Sequence, residues 1–281
     1  MRIFVTGASG FIGSEFCRQA TSVGHDVLPL QRPYRLNNLP YDVIISFSPD
    51  VVVHCAWIAI PGVYTDSPEN FVLQKQSVEL FQWLSNIGVK HFVGCGSCAE
   101  YAPSTALLDE DHSALDPASP YARAKHALRT DLEKMAKESS LAVSWARIFY
   151  PYGPSEHPDR LISRMLRGYE TGDRIVLRTP DAVRDYIHVV DVASALLVLV
   201  QKQAAGIFNI GTGVGVPLAV LQDEVAKLSC KTDPPVSAPR SDSRVVKDAI
   251  VASTRKLRAL GWGSRYQLSE GLVTYLRSIP T

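Results

Sequence analysis

Two groups of residues in this sequence have types and spacing suited to chemistry. The first lies in SPYARAKHAL (119–128), where Tyr121 and Lys125 stand four apart. Ser119 is a good N-cap and Pro120 suits the first helical position, so a helix is expected to begin here with both side chains on one face. A free phenol has a pKa of about 10, too high for efficient proton exchange at neutral pH, and a neighbouring ammonium favours its anion. Tyr121 is therefore a candidate general acid–base. Alone the pair favours the plainer reading, the first turn of a surface helix, because with 11 tyrosines in the chain such spacing arises by chance; context has to decide.

The second group is TGASGFIG, which places Gly7, Gly10 and Gly13 directly after an apolar run and at the start of a helical pattern. Gly7 permits a tight turn, Gly10 lets the backbone approach a pyrophosphate, and Gly13 lets the helix pack on the strand, with the helix N-terminus facing the anion. This predicts dinucleotide binding. A free ribose 2′-hydroxyl calls for an acidic residue at the end of the second strand, but LPLQR ends in Gln31 and Arg32. Arg32 can meet a 2′-phosphate instead, so NADP(H) is expected, with NAD(H) as the alternative.

The elements that must position these residues alternate through the first 150 positions. RIFVTG reads as a strand, 11–23 as a helix closed by Gly24, and HDVLPL as a strand. DVVVHCA (50–56) and KHFVGCGS (90–97) are further strands around a helix at 68–86. A helix at 120–138 and the strand LAVSWARIF (141–149) follow. Continuous apolar strands between helices predict a parallel sheet covered on both faces. The stretch before DVVVHCA is short and turn-rich, and its pattern does not place a further helix. After YPYGP (150–154) the texture changes. RDYIHVVDVASALLVLV (184–200) reads as a short strand then a helix, GIFNIG (206–211) as a strand, 217–229 as a helix, and 231–244 as loop. The expected organisation is one α/β unit over 1–150, with 184–203 returning to it, and a smaller C-terminal α/β unit over 151–281.

Composition narrows the classes. The chain has 281 residues, 46% hydrophobic and 20% charged, with net charge +1 and no charged block, which argues against nucleic-acid or membrane-surface partners. No apolar run reaches membrane-spanning length, and the early glycines argue against a signal peptide. Five scattered cysteines suggest reduced thiols and a cytoplasmic setting. CGSC (95–98) has redox spacing but ends an apolar run instead of opening a helix. No metal site is expected.

Together the motifs TGASGFIG, HCA, GSCAEY, YARAK, RIFYPYGP, RDYIHVVD, FNIGTG and LGW (260–262) resemble the extended short-chain dehydrogenase/reductases of the sugar-nucleotide epimerase/dehydratase family. The resemblance spans nearly the whole chain. It implies a Rossmann doubly wound sheet with a smaller substrate domain, a nucleoside-diphosphate sugar as substrate, and a homodimer built on the helices at 68–86 and 120–138. It also implies that Tyr121 and Lys125 fill the family's Tyr-x-x-x-Lys and Ser97 its catalytic hydroxyl position. The implied cofactor lining adds Ser9, Phe11, Ile12, Ala56, Trp57 and Phe149 to the glycines, Gln31, Arg32 and the Tyr–Lys pair. Arg184 and Arg240 match positions that grip the diphosphate. Trp57, Tyr64 and Tyr150, with Ser97, stand where the sugar is expected. Asn209 and His188 read as structural.

The same resemblance separates reactions. Family dehydratases carry Thr-Asp-Glu where this chain has Ser97-Cys98-Ala99, which lacks the acid and base for eliminating water. Epimerases usually keep the acidic ribose residue, and 4-epimerases an Asn where Tyr150 stands. The expectation is thus an NADPH-dependent reductase of the C4 ketone of a nucleotide-linked 4-keto-6-deoxyhexose, with Trp57, Pro61 and Tyr64 walling the pocket. The alternative is an NAD-dependent nucleotide-sugar epimerase. A cofactor-sensing binding protein on this fold is a third class, but such proteins usually lose the Tyr or the Lys, and both are present.

Overall fold

A computed structural model describes residues 1–171, 175–228 and 249–279. Its main sheet is wholly parallel. The strands are β1 (Arg2–Thr6), β2 (Asp26–Pro29), β3 (Val51–His54), β4 (His91–Ser97), β5 (Ala142–Ile148) and β9 (Gly206–Ile210), in the order β2-β1-β3-β4-β5-β9. Its helices are α1 (Phe11–Ser22), α2 (Tyr41–Phe47), α3 (Glu69–Asn86), α4 (Pro120–Lys137) and α6 (Val189–Lys202).

The unbroken apolar strands follow from two covered faces. Ile3, Val5, Val51 and Val53 turn toward Phe16 and Ala20 of α1 and Leu196 and Val200 of α6. Phe4, Val52, Phe92 and Trp145 turn the other way, toward Leu80, Phe81 and Leu84 of α3 and Leu128 of α4. Each such large side chain contributes roughly 1.5–3 kcal/mol on leaving water. Side-chain alternation along each strand thus feeds two cores at once.

The chain's layout goes beyond the sequence reading in two places. The stretch before DVVVHCA contains α2, a seven-residue helix that ends at Ser48 in a left-handed conformation (φ 51°) and anchors through buried Ile44. It is too short for a clear period, and its outer residues Val43 and Ile45 are exposed, so pattern alone could not separate it from a turn. The boundary at 150 is also crossed further than expected. Besides α6, β9 returns to the main sheet and pairs with β5 in register Ser144↔Gly206 to Ile148↔Ile210. Arg184, by contrast, lies outside that sheet.

The remaining elements build a third core. β6 (Tyr150–Tyr152) pairs with β8 (Tyr186–His188), and β7 (Val183–Arg184) lies between β10 (Val216–Pro217) and β11 (Ala249–Ile250). Helices α5 (Leu161–Thr171), α7 (Leu218–Leu228) and α9 (Leu268–Ser278) bury Ile162, Met165, Leu221, Leu272 and Tyr275 there. The short α8 (Arg255–Ala259) buries Leu257 against the α6 side of the main sheet. Asp185 ties these pieces together. Fully buried, it accepts from Thr212 N (2.8 Å), Thr212 Oγ1 (2.6 Å), Gly213 N (2.9 Å) and Ala252 N (3.1 Å). A carboxylate so satisfied fixes the strand between Arg184 and Tyr186. No helix among the described residues is long and apolar enough to cross a membrane. The expected loop at 231–244 lies outside the described residues.

Candidate active site

A cavity of about 700 Å³ opens at the carboxyl ends of the central strands. Its floor is backbone. Gly7 turns the chain at φ +66°, and a Cβ there would stand 2.6 Å from the Ala56 nitrogen; a Cβ on Gly13 would collide with the Gly7 carbonyl. Helix α1 then begins with no side chain capping its N–H groups. A cradle with no room for side chains and with uncapped amides fits a pyrophosphate.

A hydrogen-bonded chain runs beside the cradle from Ala56 to α3. Ser77 Oγ gives its proton to Leu73 O (2.6 Å), so the buried His54 Nε2 donates to Ser77 Oγ (2.9 Å). His54 Nδ1 then accepts from Thr6 Oγ1 (2.7 Å), which itself accepts from Ala56 N at 3.3 Å. Burial holds the imidazole neutral, with its pKa lowered to about 3.

The chemistry-bearing side chains meet at the ends of β4 and α4. Ser119 caps α4 by accepting from Ala122 N (3.1 Å), with Pro120 in its first turn. Tyr121 is half-buried, edge-on to Tyr64 at 4.9 Å between ring centres. Burial pushes its phenol above the ordinary range, and a hydrogen bond with Ser97 pulls it back. Ser97 Oγ also accepts from Ala99 N at 3.2 Å. Lys125, one turn on, is buried. Its Nζ donates to Cys95 O (2.8 Å) and lies 3.6 Å from the centre of the Trp57 ring. Burial lowers its pKa to about 8. Trp57 is held in turn by Nε1–H donation to Asn70 Oδ1 (2.8 Å).

The cavity is lined by Gly7, Ser9, Gly10, Phe11, Ile12 and Gly13, and by Arg32, Ala56 and Trp57. Gln31 is exposed and outside the lining. Phe149, expected on the cofactor, directly follows β5, is buried and packs with Tyr101, Cys98 and Leu108. Arg184 stacks on Tyr150, its guanidinium carbon 5.6 Å from the ring centre, and its charge reaches Cys98 beside the Ser97 turn. Arg240 lies outside the described residues. Asn209 is structural: it accepts from Tyr101 OH and donates to Leu108 O, both at 2.8 Å. His188 caps α6 by accepting from Val190 N. The CGSC cysteines do not face each other. Cys95 Sγ lies 3.5 Å from Cys55 Sγ, whereas Cys98 packs against Tyr101 and Phe149.

Three lining or supporting residues escaped the sequence reading. Arg35 and Arg160 both line the cavity, and the charge of Arg160 favours the Tyr121 anion. Arg35 follows Arg32 by three residues, a visible signal; Arg160 lies in a proline-rich loop and gave none. The third is Glu100, buried beneath Ser97.

A parallel sheet with a glycine cradle at its carboxyl edge and a Ser–Tyr–Lys cluster beside it defines a nicotinamide-dinucleotide enzyme of the extended short-chain dehydrogenase/reductase type. The chain belongs to the NAD dependent epimerase/dehydratase family, whose model matches residues 3–211. It is 25% identical over 316 residues to the UDP-glucose 4-epimerase of Rhizobium leguminosarum bv. trifolii, covering 95% of this chain and 94% of that one. In structure it resembles the UDP-glucose 4-epimerase of Thermotoga maritima solved with UDP-glucose (TM-score 0.82, 24% identity), covering 99% of this chain and 98% of that one. It also resembles MoeE5 in complex with UDP-glucuronic acid and NAD (TM-score 0.81, 26% identity), with the same coverage.

Proposed function

We propose that this chain is a nucleotide-sugar 4-epimerase dependent on a nicotinamide dinucleotide. The observation that carries this is the Ser97–Tyr121–Lys125 cluster beside a dinucleotide cradle, in a chain whose full-length relatives include UDP-glucose 4-epimerases. The ketoreductase reading that the sequence put first therefore becomes the second reading.

Gly7, Gly10 and Gly13 would hold the pyrophosphate, and Lys125, released from Cys95 O, the ribose. When bound, the dinucleotide supplies reversible hydride acceptance. The chain's own groups handle the proton. Ser97 Oγ–H bonds the C4 oxygen of the sugar. Tyr121 Oη removes the C4 hydroxyl proton and later returns it, and the Lys125 ammonium and Arg160 favour the phenolate. Arg184 and Tyr150 stand beside this turn, where a diphosphate and sugar would lie. We assign the third core to substrate binding, and the outer faces of α3 and α4, with Phe71 of α3 exposed, to a homodimer contact.

NADPH-dependent ketone reduction is supported by the adenosine end of the cavity, where Arg32 and Arg35 line the wall and no carboxylate follows β2. One experiment separates the two. Purified protein is mixed with UDP-glucose and NAD and followed by proton NMR, in parallel with NADPH oxidation on a nucleotide-linked 4-keto-6-deoxyhexose. Epimerisation without net cofactor consumption supports the first reading. Stoichiometric NADPH loss with no epimerisation replaces it with the second.

A further inference from the structure

A buried carboxylate lies under the catalytic turn and has no part in the acid–base scheme above. Glu100 ends the single turn Cys98–Glu100 that follows Ser97, and none of it reaches solvent. One oxygen accepts from Ser97 N (3.3 Å) and Trp145 Nε1 (2.8 Å). The other accepts from Arg147 Nε (3.2 Å) and stands 3.6 Å from Arg129 Nε. Ser97 Oγ completes the arrangement from the far side. With one lone pair taken by Ala99 N–H, its proton is left for Tyr121 or a substrate oxygen.

The neighbouring strands are cut to this carboxylate. A Cβ on Gly96 would collide with Trp145 Nε1 and lie 3.0 Å from Glu100 Oε1, and one on Gly94 would lie 2.9 Å from the Trp145 ring. The two glycines of GCGS thus make room for the indole that holds Glu100. Buried ion clusters are weak sources of stability, because desolvation offsets the attraction. Such a cluster directly behind a reacting hydroxyl points to the site more than to the fold.

We infer that Glu100 is a positioning residue of the reaction: it locks the Ser97 turn so that the hydroxyl is presented to Tyr121 and the reacting oxygen, and through its charge it acts on Lys125. The inference rests on the Ser97–Tyr121–Lys125 reading. Lys125 is faced by the Cys95 carbonyl and thiol of β4, by Cys55 and His54 at the end of β3, by Trp57, and by the charge of Glu100. Cys95 stands first among the groups that oppose its desolvation, its own thiol pulled down by the Cys55 hydrogen bond and by Lys125, and Glu100 follows, whereas the Cys55 thiol is pushed well up. The carboxylate paired with Arg147 adds its charge near the amine.

The test reads Lys125 directly, by 13C NMR of protein carrying ε-13C-lysine, with the signal assigned through Lys125→Arg. Turnover of UDP-glucose with NAD is measured alongside. The wild-type midpoint is expected near pH 8. Glu100→Gln keeps an acceptor for Ser97 and Trp145 but loses the charge. It should lower the midpoint by about half a pH unit or more and cut turnover at pH 7 by about tenfold, with Glu100→Asp restoring part of it. Arg129→Gln, at the rim of the cluster, should raise the midpoint. Unmoved midpoints in both variants, or turnover within about twofold of wild type in folded Glu100→Gln, overturn the inference. If Glu100→Gln does not fold, Arg129→Gln decides alone, and an unmoved midpoint again overturns it. The titration needs no substrate. A wild-type protein inert toward UDP-glucose therefore refutes the proposed function while leaving Glu100 tested.

Discussion

The two ends of the site are built from different materials. The glycine cradle is backbone held by local geometry: a positive φ at Gly7, a close approach to Ala56 and a helix start at Phe11. The catalytic turn is side chains held by long-range pairs: Lys125 on Cys95 O, Glu100 on Trp145 and Arg147, Trp57 on Asn70. A backbone cradle can bind a dinucleotide but move no proton. The turn can move a proton only while its buried charges stay matched.

The largest effect should come from the turn. Tyr121→Phe removes the proton carrier and should lower kcat by a factor on the order of 10²–10⁴, with KM changed little; steady-state kinetics would check it. An unchanged kcat would move the chemistry elsewhere. Gly7→Ala attacks the cradle instead. A left-handed backbone costs roughly 1–2 kcal/mol for a residue with a Cβ, and that Cβ must displace the Ala56 nitrogen. Cofactor affinity, read by fluorescence titration, should fall by about tenfold or more, because roughly 1.4 kcal/mol is a factor of ten.

How much of this was legible follows the same division. The cradle could be read because its determinants lie within seven residues. So could the Tyr121–Lys125 helix, through its Ser-Pro start. The parallel sheet was legible from unbroken apolar strands. Helix α2 was hidden by its length, and β9's return to the sheet by the 62 positions between each residue and its partner on β5 (206 − 144 = 62 for Ser144 and Gly206). Phe149 entered the cofactor lining through the family resemblance, and the fold packs it with Cys98, Tyr101 and Leu108. Glu100 carried no periodic or spacing signal. Its partners Trp145, Arg147 and Arg129 are distant in sequence, and only folding brings them together.

A smaller effect comes from three buried histidines. His54, His91 and His188 are kept neutral by burial, with pKa values lowered to about 3, 4 and 4. The unfolded chain binds protons that the folded one refuses, so stability should fall as pH drops from about 6.5 toward these values. His54 alone contributes on the order of 3 kcal/mol to that loss by pH 4. Urea midpoints measured across this range should show the slope, and His54→Gln should flatten it. A slope that persists in full would place the acid sensitivity elsewhere.

The smallest effect concerns the rim. Arg32 and Arg35 are exposed, so removing either should weaken NADPH binding by about tenfold at most and leave NADH unchanged. Equal loss for both cofactors would mean that neither arginine reads a 2′-phosphate.

The central claim, that the Ser97–Tyr121–Lys125 cluster drives proton exchange at C4 of a nucleotide sugar, is tested most directly by proton NMR of UDP-glucose incubated with the NAD-loaded protein and with its Tyr121→Phe variant. The account predicts that the wild type inverts C4 and the variant does not. Inversion that survives in the variant would contradict it.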